Sequence, residues 1–142
     1  MTIAAIIGGS GRELISITAE RSVRDAVALL AGRRIGAVPV MEGDRVVGIF
    51  SERDVIHALQ AQGAAALDGT VQGAMTSPAI TVSPGESVIG ALALMTRRRI
   101  RHLPVVEDDR VTGIVSIGDL VKYRIDRIEA DAEAMRSYIQ QA

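Results

Sequence analysis

The sequence predicts an α+β fold in which two β-α-β-β-α units pack as a pseudo-twofold pair, followed by an extended C-terminal helix. Three observations carry that expectation. Sliding the 142-residue chain against itself by 65 residues aligns SVRDAVALLAGRRIGAVPVMEGDRVVGIFSERD (22–54) with SVIGALALMTRRRIRHLPVVEDDRVTGIVSIGD (87–119) without a gap, and 18 of those 33 positions are identical. Within each copy, an apolar stripe of helical period gives way to two β-rich runs joined by a polar turn. From Ser116 onward the chain contains no proline, and its single glycine, Gly118, lies at the start, so a helix of about 25 residues is expected there. Two copies are too few for a solenoid, so the like modules should pack on each other.

Taken in order, each copy opens with a short strand, Leu14–Ile17 or Ile80–Val82. The first long helix follows: Val23, Val27 and Leu30 share a face with Ala26, as Val88, Leu92 and Met95 do with Ala91. AVPV and RVVGIF form one hairpin across EGD, and HLPVV and RVTGIV form the other across EDD. Pro39 and Pro104 fall in the first hairpin strands, where a missing N–H requires an edge or a bulge. A further helix opens at Ser51 and Ser116. Between the copies, QAQGAAALDGTVQGAMTSP suggests a linker and a short helix near Val71–Met75, with Ile3–Ile7 as its counterpart. The expected division is 1–60 for the first motif, 61–70 for the linker, 71–125 for the second motif and 126–142 for the helical extension.

Composition narrows the function. Sixteen Lys+Arg against 17 Asp+Glu leave a formal charge of −1, and there is no Trp, one Phe and two Tyr. Neither a phosphate-tracking surface nor a base-stacking platform is present, so no nucleic-acid partner is expected. The absence of Cys removes disulfides, thiol nucleophiles and cysteine-based zinc sites. MTIAAIIGGSGREL lacks the basic start and sustained apolar run of a signal peptide, and no stretch approaches the length of a membrane span. A soluble, cytoplasmic protein is expected. GGSG is not followed by Lys-Ser or Lys-Thr, so it reads as a flexible turn rather than a phosphate loop.

Each copy ends in Gly-apolar-apolar-Ser-x-x-Asp: GIFSERD at 48–54 and GIVSIGD at 113–119. Ser followed three residues later by an acid is first a capping box, in which two side chains satisfy backbone donors at a helix start. The combination of this ending with the apolar-Pro-Val strand, the polar turn and the duplication resembles a tandem cystathionine-β-synthase (CBS) domain pair, or Bateman module, over nearly the whole chain. That resemblance implies two CBS motifs with symmetry-related clefts that take adenine-containing ligands such as AMP, ADP, ATP, S-adenosylmethionine or nicotinamide dinucleotides. It places Ser51 and Ser116 on phosphate, and Asp54 and Asp119 on the ribose diol. It places the adenine against Ala37, Val38 and Pro39, against Leu103 and Pro104, and against the strand ends Ile17–Thr18 and Val82–Ser83.

The chemistry is compatible with that assignment. A helix N-terminus presents N–H groups and the positive end of its dipole to an anion, and a carboxylate accepts from two vicinal hydroxyls. Gly48 and Gly113 should let another group approach the strand backbone. Arg53 stands in the first motif where Gly118 stands in the second, and Arg101 and His102 stand where the first copy has Gly36 and Ala37. Two chemically unequal clefts are expected. TRRRIRH (96–102) is a solvated face whose end could attract an anion, and His57 has no metal or triad spacing.

In the C-terminal helix, Val121, Ile125, Ile128, Ala132, Met135 and Ile139 follow the 4-3-4-3-4 spacing of a heptad seam. Val121 and Ile125 are expected to pack on their own globule and the remainder on a second copy, giving a homodimer. The functional expectation is a non-catalytic regulatory module that binds AMP, ATP or NAD and signals energy or redox state to an unidentified regulated protein. The alternative is a ligand-independent dimerisation scaffold. No catalytic cofactor, metal or membrane partner is expected, since no Ser-His-Asp set, nucleophilic thiol or metal cluster emerges.

Overall fold

The computed structural model describes residues 1–8 and 13–141. Most of the GGSG turn, Gly9 to Gly11, lies outside the described residues. The elements in chain order are α1 (Ile3–Gly8), β1 (Ile17–Thr18), α2 (Val23–Arg33), β2 (Ala37–Glu42), β3 (Arg45–Ser51) and α3 (Glu52–Gln62). A 3-10 helix, Gly63–Asp68, follows. The chain then continues through α4 (Val71–Ala74), α5 (Val88–Arg98), β4 (His102–Glu107), β5 (Arg110–Ser116) and α6 (Ile117–Gln141).

The 65-residue repeat is reproduced in the backbone. Ser22 and Ser87 cap α2 and α5 by accepting from the N–H of Asp25 and Gly90 at 3.0 and 2.9 Å. Arg34 and Arg99 end those helices in the left-handed conformation, with φ of 54° and 55°. The hairpins share one register, Val40 opposite Gly48 and Val105 opposite Gly113, with the same irregularity one residue later. Pro39 and Pro104 therefore sit beside a bulge. Beside it, the Pro104 carbonyl accepts from the Val82 N–H at 3.0 Å.

The opening strands are shorter than expected. Only Ile17–Thr18 forms a strand, parallel to β2, and Val82 makes a single parallel bridge to Val105. Leu14 to Ser16 and Ile80 to Thr81 lie outside the sheets. The 61–70 segment is helical through Asp68 and buries Ala66.

Two cores form, and each draws its short helix from the other sequence copy or from between the copies. Ile17, Val23, Ala26, Leu30, Val38, Val40 and Phe50 pack with Val71 of α4. Val82, Val88, Ala91, Met95, Leu103, Val105, Val115 and Leu120 pack with Ile3 of α1. The docking bonds obey the pseudo-twofold relation: Val71 N–H donates to Arg21 O at 2.8 Å and Ile3 N–H to Glu86 O at 2.9 Å. Burial on α2 and α5 follows the predicted stripe at Val23, Leu30, Val88 and Met95 but centres on Ala26 and Ala91, leaving Val27 and Leu92 half-buried at its edge.

Gly48 and Gly113 are both closely approached, but by the chain itself. A Cβ at Gly48 would stand 2.7 Å from Met75 Sδ and 2.8 Å from the Thr76 carbonyl oxygen, whereas one at Gly113 would meet only the Ile7 side chain, at 3.3 Å. Thr76 is held there by a two-bond bridge to Ile49, each bond 2.9 Å.

The C-terminal helix corrects one expectation. Val121 and Ile125 are exposed, at 42% and 48% of their surface, and do not pack on the globule. Leu120 and Tyr123 do so instead, because helical period turns them away from the seam, and Ile117 joins them from the first turn of the helix. From Glu129 to Gln141 every residue is exposed.

Candidate functional site

A cleft of about 350 Å³ opens where the two copies meet. One wall is the start of α3 with its flanking strands: Gly36, Ala37, Ile49, Ser51, Glu52, Arg53 and Asp54. The other comes from the second copy and the segment leading into it: Thr76, Pro78, Ile80, Ile100, Arg101 and His102. Ile56 and His57 of α3 complete the rim.

The start of α3 is a complete capping box. Asp54 N–H donates to Ser51 Oγ at 3.4 Å, while Asp54 Oδ2 accepts from the Ser51 N–H at 2.8 Å and from the Ser51 hydroxyl at 3.1 Å. Asp54 Oδ1 accepts from the Thr76 hydroxyl at 2.8 Å. The carboxylate is buried and joins the helix start to the segment that enters the second copy. A carboxylate offers about four acceptor positions, and three are filled within the chain. A ribose diol with two donors therefore fits only if the Thr76 or Ser51 hydroxyl turns away.

The helix-start donors are also partly used. Glu52 N–H donates to Gly36 O at 3.0 Å and, symmetrically, Ile117 N–H to Arg101 O at 2.8 Å. An anion at α3 would therefore rely on the Arg53 N–H, the helix dipole and nearby cationic side chains. Arg53 Nη1 donates to Arg99 O at 2.8 Å, tying α3 to the end of α5. A guanidinium has five N–H donors, so this bond leaves capacity for phosphate. Arg101 lies across the cleft.

His102 stands at the meeting point of the two copies. Its ring approaches so closely that a Cβ on Gly36 would lie 3.0 Å from Cε1 and 3.2 Å from Nε2. Burial pushes the imidazole below its ordinary value of 6.5; the nearby Glu52 and Asp119 carboxylates pull the other way, and Arg101 adds to the lowering. Unfolded His102 therefore takes up a proton at higher pH than folded His102 does. Its contribution to stability falls as pH drops below about 6.5 and levels off below the lowered folded value. Urea midpoints measured from about pH 7 to about pH 5 should decline in the native protein, and less steeply in His102→Gln.

Of the residues singled out in the sequence, Ser51, Arg53, Asp54, Ala37, Arg101 and His102 converge on this cleft. Val38 and Leu103 are fully buried, and Pro39, Pro104, Ile17 and Val82 are buried in or beside the sheets. Thr18 and Ser83 are exposed at the strand ends. Ser116 and Asp119 form a second capping box at α6, with bonds of 2.9 and 3.1 Å. The pseudo-equivalent hollow is about 130 Å³ and is walled largely by Ile6, Ile7, Ile15, Ile35, Ile114 and Val115. The expected inequality between clefts takes a different form from the one read in sequence: Arg101 and His102 line the same cleft as Gly36, Ala37 and Arg53.

Thr76, Pro78 and Ile100 carry no signal in the sequence, and Ile80 carries only that of a strand. Thr76 follows α4, and the segment that follows α1 in the first copy is the GGSG turn, whose length differs, so the repeat carries no aligned echo of it. Among the described residues there is no cluster of three or more His, Cys, Asp or Glu able to hold a metal ion, and no helix long and apolar enough to cross a membrane.

Comparison with known proteins bears on the whole arrangement. A family model described as CBS domain matches residues 10–61 and 70–126. The crystal structure of the CBS-domain containing protein ATU1752 from Agrobacterium tumefaciens superposes with a TM-score of 0.83 at 36% identity, covering 87% of this chain and 99% of that one. CBS domain protein PAE2072 from Pyrobaculum aerophilum, solved complexed with AMP, gives a TM-score of 0.74 at 28% identity over 84% of this chain and 89% of that one. CBS domain-containing protein CBSX3, mitochondrial, of Arabidopsis thaliana is 35% identical over 128 residues; the match takes in 87% of this chain and spans 62% of that protein's length.

Proposed function

This chain belongs to the CBS-domain family, and on that premise we propose that it is a non-catalytic regulatory module that binds an adenine nucleotide of the AMP, ATP or NAD type in the cleft at α3. The observation that carries this reading is the juxtaposition in one cleft of Ser51 and Asp54 from one copy with Thr76, Arg101 and His102 from the other side. Its volume, about 350 Å³, falls in the range of small-molecule sites. The AMP complex of the Pyrobaculum relative supports an adenine ligand.

In this reading the phosphate lies at the start of α3 between Ser51, Arg53 and Arg101, with His102 beside it. The ribose hydroxyls compete with Thr76 for Asp54. Ligand binding then loosens the Asp54–Thr76 link, so the occupied and empty states differ in how the second copy's leading segment is held. Such a differential contact is what a switch requires. A regulated protein reads that difference, and the chain acts as a homodimer through the exposed face of α6.

A ligand-independent scaffold is the second reading, and the filled capping box favours it, because the α3 start is satisfied without any ligand. Thermal unfolding separates the two. A nucleotide bound only by the folded chain must raise the melting temperature, by a free energy of about 2.7 kcal/mol at a hundredfold excess over Kd. A melting temperature unmoved by millimolar AMP, ATP and NAD would favour the scaffold.

A further inference from the structure

The exposed seam of α6 carries information about the geometry of its partner. Val121, Ile128 and Met135 occupy one set of heptad positions and Ile125, Ala132 and Ile139 the other, and all six are exposed in a helix about 38 Å long. On the opposite side, Leu120 and Tyr123 bind the first turns to the globule, which leaves the seam clear of it.

We propose that this seam pairs with the same seam of a second copy as a parallel, in-register two-stranded coiled coil. The flanking charges suit a second copy as the occupant, and they separate the parallel pair from the antiparallel one that keeps all six seam residues in contact. Arg124 and Asp131 flank the seam on one side, and Glu129 and Arg136 on the other. In a parallel pair each flanking residue meets the one five positions further along its partner. Arg124 then faces Glu129 of the partner subunit, and Asp131 faces Arg136 of the partner subunit, and twofold symmetry repeats both pairs. Every such contact is attractive. In the antiparallel arrangement that stacks Ile125 on Met135 and Ala132 on Ile128, residues of one flank meet their own kind. Glu129 then faces Glu129, Asp131 faces Asp131, and Lys122 faces Arg136, all of them like charges.

The local pairs already present do not compete with this arrangement. Lys122–Asp126 at 3.0 Å and Arg136–Glu133 at 2.9 Å are exposed ion pairs, which are individually weak and readily shared. A parallel coil also places both globules at the same end, so the two α3 clefts of a dimer lie on one side of the assembly.

The inference rests on the self-association proposed above, and the test separates the two. The chain contains no cysteine, so Ile139→Cys introduces a unique thiol in an exposed last turn. In the parallel pair the two thiols face each other and mild oxidation should yield a covalent dimer of the mass that sedimentation gives for the native chain. In the antiparallel pair residue 139 faces 121, and the thiols are about 27 Å apart. Arg124→Glu should weaken dimerisation about tenfold, and Arg124→Glu combined with Glu129→Arg should restore it. A native dimer that neither cross-links nor responds to the charge swap overturns the parallel geometry while leaving self-association standing. A monomer at micromolar concentration overturns both.

Discussion

Replacing Asp54 with alanine should weaken adenine-nucleotide binding by about 100-fold and destabilise the fold by about 3 kcal/mol. The two effects have one origin. The buried carboxylate holds the Ser51 N–H, the Ser51 hydroxyl and the Thr76 hydroxyl, and in the proposed complex it also takes the ribose. Its removal leaves donors unsatisfied at a helix start and separates the two walls of the cleft. Thr76→Val divides the effects: it removes one hydrogen bond to a carboxylate, costing about 1.5–3 kcal/mol of stability, but vacates an acceptor position that the ribose can use. Nucleotide affinity in Thr76→Val should therefore be unchanged or improved. Asp119→Ala, at the other helix start and outside the cleft lining, should change binding by less than about threefold. Chemical denaturation and calorimetry on the three variants read both quantities. Equal loss of affinity in Asp54→Ala and Asp119→Ala would contradict the assignment of the ligand to the α3 cleft.

Gly48→Ala should cost about 3 kcal/mol, while its repeat equivalent Gly113→Ala should cost less than about 1 kcal/mol. At Gly48 the new methyl meets the Thr76 carbonyl oxygen at 2.8 Å, and that backbone is pinned by two hydrogen bonds to Ile49. It cannot move away without breaking the bridge that sets Thr76 against Asp54. At Gly113 the obstacle is the Ile7 side chain at 3.3 Å, which can shift by a few tenths of an ångström. Urea midpoints of the two variants measure the difference. Equal costs would mean that Thr76 is not firmly held, and the coupling between the bridge and the cleft would fail with it.

Much of this architecture is written in local pattern. The stripe through Val23, Ala26 and Leu30, the hairpin runs on either side of EGD and EDD, and the Ser-x-x-Asp ending each report a period or a cap that depends on neighbours in sequence. The 65-residue echo then implies the pairing of two such units, and the CBS-domain match agrees with it. What escaped the sequence is relational. Nothing in MTIAAIIG says that Ile3 enters the second core, because a four- to six-residue helix carries too few positions to encode its acceptor. The opening strands shrank to Ile17–Thr18 and one bridge at Val82, since a run of β-formers becomes a strand only where a partner's backbone continues beside it.

The site shows the same division. Ser51 and Asp54 are legible as a motif, but Thr76 is not, because its role comes from a contact between residues 22 positions apart that only the fold brings together. By sequence position Arg101 and His102 belong to the second copy's cleft. The pseudo-twofold axis brings the starts of β2 and β4 together, and so both copies serve the same opening. On α6, period alone could not decide between a globule-facing and a partner-facing seam. Leu120 and Tyr123 take the globule, and Val121 and Ile125 are left with the seam.

The central claim is that one adenine nucleotide enters the α3 cleft. Calorimetric titration of the native full chain with AMP, ATP and NAD, repeated on Arg101→Ala, tests it most directly. The expected result is saturable binding of at least one of the three, with one ligand per chain, weakened about tenfold or more in Arg101→Ala through loss of a charge-assisted contact to phosphate. Absence of heat with all three nucleotides at millimolar concentration, or binding that Arg101→Ala leaves unchanged, would contradict it.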